Sequence, residues 1–234
     1  MDLATARFAV AALMFAGGAL FDLRTRRVPN RYWLPFAAAA AGFVAADLLQ
    51  GGTSRDDLLP YAVALAACGV LFTLWRLGLF GGADAKGLMV VAFLLPVAPV
   101  PVPAWGVATV PVLDTLLNGS LLTLLVPVAC LAWNLARGRW GGWATFLGVP
   151  LPLERARQAQ AWPLQRIEEG RLGWRYWHRP DESLDEAYDG LAAAGATEVW
   201  VTPKVPFMVP LALGLGLAWW TGNLVVGATL ALTP

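Results

Sequence analysis

"ATARFAVAALMFAGGALFDLRTRRVPN", residues 4–30, is the stretch on which the fold turns. An apolar run broken only by Arg7 continues to Phe21. Asp22, Arg24, Arg26 and Arg27 then follow within six residues. About 20 mostly apolar residues suffice for a helix to cross a bilayer's hydrocarbon layer. The run therefore reads as a membrane helix. Its charge cluster lies after the apolar segment rather than before it, so it reads as a retained helix and not as a cleaved signal peptide. The whole chain agrees. Of its 234 residues, 58% are hydrophobic and 14% charged, where soluble domains carry about a quarter charged residues. A net charge of +1 gives no argument for a nucleic-acid partner.

Further apolar runs place six spans: Leu3 to Phe21, Trp33 to Leu49, Leu58 to Leu77, a fourth from near Asp84, Leu116 to Ala136, and a last one within Val205 to Thr233. The fourth must end in "PVAPVPVP" (Pro96 to Pro103), because proline lacks an amide donor and restricts the residue before it. Pro29 and Asn30 are placed to start the second span. Residues 137–203 differ in kind, with dense charge and tryptophans (Trp140, Trp143, Trp162, Trp174, Trp177) suited to a membrane surface. There "PDESLDEAYDGLAAAG" (Pro180 to Gly195) predicts a helix capped by Asp181 or Ser183 and ended by Gly195. "TEVWVT" (Thr197 to Thr202) alternates as a short strand. The expected architecture is an all-α polytopic membrane protein of six transmembrane helices, with a small α+β cytoplasmic subdomain between helices five and six. Its parts are 1–136, 137–203 and 204–234.

Orientation follows from the basic residues, which concentrate on the cytoplasmic side. Fifteen of the seventeen Lys and Arg residues fall after span one, after span three, or in 137–204; Arg7 and Arg55 are the others. Both termini then lie outside the cell membrane. Asp22, closing span one, and Asp84, in "GGADAKG" (Gly81 to Gly87), then share the cytoplasmic depth. Singly, Asp22 could balance a neighbouring arginine and Asp84 could cap a helix. Together, two carboxyls within hydrogen-bonding reach share a proton, and one can serve as base on water while the other serves as acid. The two cysteines, Cys68 and Cys130, have no metal-site or disulfide spacing, and His178 is a lone histidine read as interfacial. Neither HExxH, GxSxG, a P-loop nor a Rossmann fingerprint occurs.

"FDLRTRRVPN" (Phe21 to Asn30) and "GGADAK" resemble the type IV prepilin peptidases, GxGD-type membrane aspartic proteases. With "VWVTPKVPFMVPL" (Val199 to Leu211) and the insert before it, the chain is most similar to their archaeal branch, the preflagellin (prearchaellin) peptidases. The resemblance implies cytoplasmic removal of a short basic leader from archaellin or pilin-like precursors, with no cofactor and with the lipid bilayer and these precursors as partners. Carried over by position, Asp22 and Asp84 are the catalytic pair, and Gly81, Gly82 and Ala83 shape the second motif, with Ala83 departing from the second glycine of GxGD. The two glycines read either as a plain turn or as room for a substrate backbone. Lys86 reads as an orientation signal or as a stabiliser of the ionised aspartate. Bacterial relatives carry paired CxxC motifs and methylate the new N-terminus; this chain has no CxxC, which implies no methyltransferase activity. Asp47, Asp56, Asp57 and Asp114 fall on the external side and serve as internal controls. Two other classes remain open at this point, a proton-coupled transporter, which would need acids near mid-bilayer, and a non-catalytic scaffold for filament assembly.

Overall fold

The computed structural model describes residues 2–51, 54–97, 109–159, 161–168, 170–176 and 183–232. His178, Glu169, Asp181, Glu182 and most of the proline-rich stretch fall outside them. The chain is mostly helical and divides into two compact units, Met1–Thr123 with Pro206–Pro234, and Leu124–Val205.

The first unit contains α1 (Leu3–Thr25), a 3-10 turn (Asn30–Trp33), α2 (Leu34–Gly51), α3 (Arg55–Arg76), α4 (Gly82–Leu94) and α5 (Pro111–Thr123). Two late helices, Met208–Thr221 and Leu224–Leu232, complete it. The second span thus begins not as a helix at Pro29 but as a 3-10 turn that Pro29 caps without a side-chain bond. Buried Met14, Phe15, Trp33, Leu88, Val91 and Met208 form the heart of the core. Large apolar side chains such as Leu13, Leu65 and Trp220 point outward, an arrangement suited to a hydrocarbon surround.

Four stretches are long and apolar enough to cross a membrane: α1, Asn30–Gln50, Asp56–Arg76 and Pro111–Ala136. A fifth is reached if the two late helices, bent by 49°, count as one crossing. The expected fourth span is the short one. α4 has 13 residues, about 20 Å of helix at 1.5 Å per residue, against about 30 Å of hydrocarbon. It stops before Pro96, where the sequence required it to.

Polar groups inside this unit are tied to helix ends. Arg7 is buried rather than a surface signal. It pairs with Asp47 at 2.5 Å, donates to Phe43 O at 3.1 Å, and donates to Leu94 O at 3.3 Å where α4 ends. The Tyr61 hydroxyl donates to the same Asp47 oxygen. At the break between the late helices, Gly222 takes φ +72. Asn118 of α5 donates to Gly222 O at 2.9 Å and accepts from Leu224 N at 3.0 Å. Asn223 accepts from the amides of Val225 and Val226 and donates to Asp114 at 2.8 Å.

The second unit contains α6 (Leu125–Ala136), α7 (Ala144–Leu147), β1 (Val149–Pro152), α8 (Leu153–Gln158), β2 (Trp162–Pro163), β3 (Gln165–Glu168), β4 (Arg171–Trp174), α9 (Leu184–Ala193) and β5 (Glu198–Thr202). The late helices of the first unit are accordingly α10 and α11. β5 lies between β1 and β2, antiparallel to both, with Val149 opposite Val201. β3 and β4 form a hairpin that turns at Gly170, whose φ is +74. The helix read from "PDESLDEAYDGLAAAG" is α9, capped by Ser183 accepting from Glu186 N. The alternating "TEVWVT" is β5. Tyr188 and Leu191 of α9 bury against Val199 and Val201 of β5.

The tightest helix contact is between α5 and α10. A Cβ on Gly214 would stand 2.6 Å from both Gly119 N and Thr115 O, whereas one on Gly216 would meet nothing within 4 Å. Gly214→Ala is therefore expected to destabilise by about 1–3 kcal/mol through overpacking. Gly216→Ala should stay within about 0.5 kcal/mol of the parent. Thermal unfolding of the full-length protein in detergent separates the two.

Candidate active site

Asp22 lies in the last two turns of α1, whose helix runs on through it to Thr25. Its carboxylate has a partner 186 residues away: Oδ2 accepts from Met208 N at 3.2 Å. Met208 is the first residue of α10, and the residue preceding that helix, Phe207, supplies no side-chain cap. The first amides of a helix lack internal partners, and a carboxylate there also meets the positive end of the helix dipole. Asp22 thus caps a helix to which it does not belong.

Asp84 is brought in by α4. It is not the cap; Gly81 is, and Asp84 occupies the first turn, three residues in. Asp22 is close enough that its charge acts on Asp84. The two aspartates that the sequence singled out therefore lie on adjoining helices, α1 and α4, within electrostatic reach of each other. The turns leading to them also touch, since Phe80, just before Gly81, meets the Phe207 ring edge-on with centroids 5.9 Å apart.

The glycines are occupied from within. A Cβ on Gly81 would collide with Asp84 Oδ2, and one on Gly82 would stand 2.9 Å from Trp75 Nε1. The space they leave holds the Asp84 carboxylate and the Trp75 indole. Ala83 is partly buried against the core. Lys86 turns away from the acids: Nζ donates to Asn30 Oδ1 at 2.8 Å and lies 4.9 Å from the centroid of the Trp75 ring. Arg24, Arg26 and Arg27 are exposed.

Three of the acids expected on the external side have structural partners instead. Asp47 holds Arg7, Asp57 completes a capping box with Ser54, and Asp114 accepts from Asn223. Among the described residues, no three His, Cys, Asp or Glu side chains gather as a metal-ligand set would require. The sequence reading missed Met208, Asn30 as the Lys86 acceptor, and the aromatic pair Tyr32 and Trp33 between α1 and α4. "PNRYW" (Pro29 to Trp33) carried the available signal, two aromatic residues directly after a polar turn.

Comparison with known proteins bears on this site. The family described as the type IV leader peptidase family matches residues 8–131, slightly more than half the chain and inclusive of both aspartates. The preflagellin peptidase of Methanococcus voltae is 23% identical over 241 residues, covering 96% of this chain and 99% of that protein.

The Asp22–Met208 bond predicts a stability effect separable from chemistry. Asp22→Ala leaves the first amide of α10 without its acceptor and should lower stability by about 1 kcal/mol, the usual worth of a helix cap. Asp22→Asn keeps an acceptor oxygen and should fall by less. The difference appears as two distinct unfolding midpoints in detergent.

Proposed function

The chain belongs to the type IV leader peptidase family, and from that premise we propose that it is an aspartic endopeptidase removing the leader from archaellin or type IV pilin-like precursors. Asp22 and Asp84 act as the catalytic pair. The observation that carries the reading is their approach from α1 and α4, close enough to interact electrostatically, in a chain that matches the family across both positions.

Neighbouring carboxyls do not both ionise readily, so the pair holds one proton. The ionised carboxylate takes a proton from water as the water oxygen attacks the scissile carbonyl carbon. The protonated partner gives its proton to the carbonyl oxygen. Collapse of the tetrahedral intermediate breaks the C–N bond, and the amine leaves with a proton from the pair. Asp22 has one oxygen engaged by Met208 N and keeps the other for this work.

The membrane reading extends the same way. The protein is multi-pass. In the six-crossing arrangement, α4 lies in the fourth crossing. The basic residues around 24–31 and 76–86 set the acids at the cytoplasmic face, with both termini outside. No CxxC pair occurs in the chain, which supports peptidase activity without methylation of the product.

Two predictions follow from the pair. In membranes containing the full-length protein and a preflagellin substrate, Asp22→Asn and Asp84→Asn should each slow leader removal by about 10²–10⁴-fold, the usual contribution of general acid–base groups. Asp57→Asn should cleave at the parental rate. Wild-type processing by either of the first two would sink the assignment; the readout is the precursor's mobility shift on a gel. Gly81→Ala should displace the Asp84 carboxylate, because a Cβ there collides with Oδ2. A misplacement approaching 1 Å costs on the order of 10²-fold, so kcat should fall markedly while the unfolding midpoint hardly moves.

A further inference from the structure

One residue near the acids has no role so far. Trp33 is 4% exposed, and its indole N–H has no acceptor among the described residues. The outer edge of its ring lies between two glycines. A Cβ on Gly18 of α1 would stand 3.6 Å from Cη2, and one on Gly87 of α4 would stand 3.3 Å from both Cη2 and Cζ3. Gly18 is four residues before Asp22, and Gly87 is three after Asp84. Residues at those spacings share a helix face. The ring therefore separates α1 from α4 one turn inward from the acids, on the faces that carry them.

The details point to shape as its function. Glycine is poor in helix interiors, yet it occupies both contact points, so the ring rests against backbone. The space is also crowded by others: a Cβ on Gly87 would be 3.2 Å from Phe15 Cε1, and one on Gly18 would be 2.7 Å from Met208 Cε. The 3-10 turn that presents Trp33 is fastened on both sides. The Tyr32 hydroxyl donates to Met14 O of α1 at 2.7 Å, and Asn30 Oδ1 accepts from Lys86 of α4 at 2.8 Å. The Tyr32 and Trp33 rings meet edge-on, with centroids 5.2 Å apart.

We propose that Trp33 is a positioning residue, a spacer whose breadth sets the separation of the helices bearing Asp22 and Asp84. The role in turnover rests on the aspartate-pair reading; the spacing itself does not. Because separation decides whether one water can bridge two carboxyls, turnover should suffer from a spacer that is too small and equally from one that is crowded.

The test uses the full-length protein in membranes with a preflagellin substrate. Trp33→Ala should lower kcat tenfold or more with KM within about threefold, and Trp33→Phe should fall between it and the parent. Gly87→Ala, which presses a methyl against the ring, should also slow turnover, and Gly87→Ala with Trp33→Phe should be faster than Gly87→Ala alone. A second readout needs no chemistry from the pair. In a Cys68→Ala, Cys130→Ala background, Asp22→Cys and Asp84→Cys are bridged with bifunctional thiol reagents of graded length, with and without Trp33→Ala. The preferred reagent length should change when the ring is removed. Parental kcat in Trp33→Ala, or an unchanged length preference, would overturn the proposal while leaving inactive Asp→Asn variants to uphold the pair. Active Asp→Asn variants would instead remove the pair, and the cross-linking result would still decide the spacing. Should Trp33→Ala not assemble, the Gly87→Ala and Trp33→Phe combination decides: no recovery in the double variant counts against the spacer.

Discussion

A helix that begins or ends inside a packed bundle exposes backbone groups that its own turns cannot satisfy, so a neighbouring side chain satisfies them. This constraint organises the first unit. Arg7 donates to Leu94 O at the end of α4. Asn118 and Asn223 bridge the break between α10 and α11. Asp22 accepts from the first amide of α10. Polar residues rare enough to count are spent at the ends and breaks of helices, and each ties one helix to another distant in sequence.

Asp22 stands apart because its site is also the candidate reaction centre. A carboxylate held by a helix amide from a distant part of the chain is fixed in position. Asp84 has no such cross-helix amide among its described contacts. It lies in the first turn of its own helix against Gly81. The two aspartates therefore sit in unlike surroundings, one tied across the bundle and one lodged in a glycine-framed turn.

Much of this was legible in the sequence, for reasons that are local. Apolar run lengths located α1 to α3, prolines located the end of α4, and Ser183 with the acids after it located α9. The depth argument from basic residues put Asp22 and Asp84, each at the end of an expected span, on one side of the membrane and apart from Asp47, Asp56, Asp57 and Asp114. What was not legible depends on pairing over distance. Arg7 read as an interruption because its partner Asp47 lies 40 residues away. The uncharged stretch 205–233 read as one span because nothing in its hydropathy marks the break at Gly222. That break is made possible by Asn118, 104 residues earlier. Gly81 and Gly82 read as open room because a sequence does not show that Asp84 and Trp75 fill it.

The same limit explains why a substitution at Asp22 has to be chosen with care. Removing the side chain withdraws an acceptor from α10 as well as a carboxylate from the pair, and a lost cap could move the very helix that lies over Gly18 and its spacer contact, since Met208 both donates to Asp22 and crowds Gly18. Asparagine keeps an oxygen where the amide needs one, while removing the charge and replacing the other oxygen with an NH2 group. The distinction matters beyond this residue. Where a single side chain both closes a helix and performs chemistry, a loss of activity on its deletion says little about the chemistry until the structural bond has been held constant.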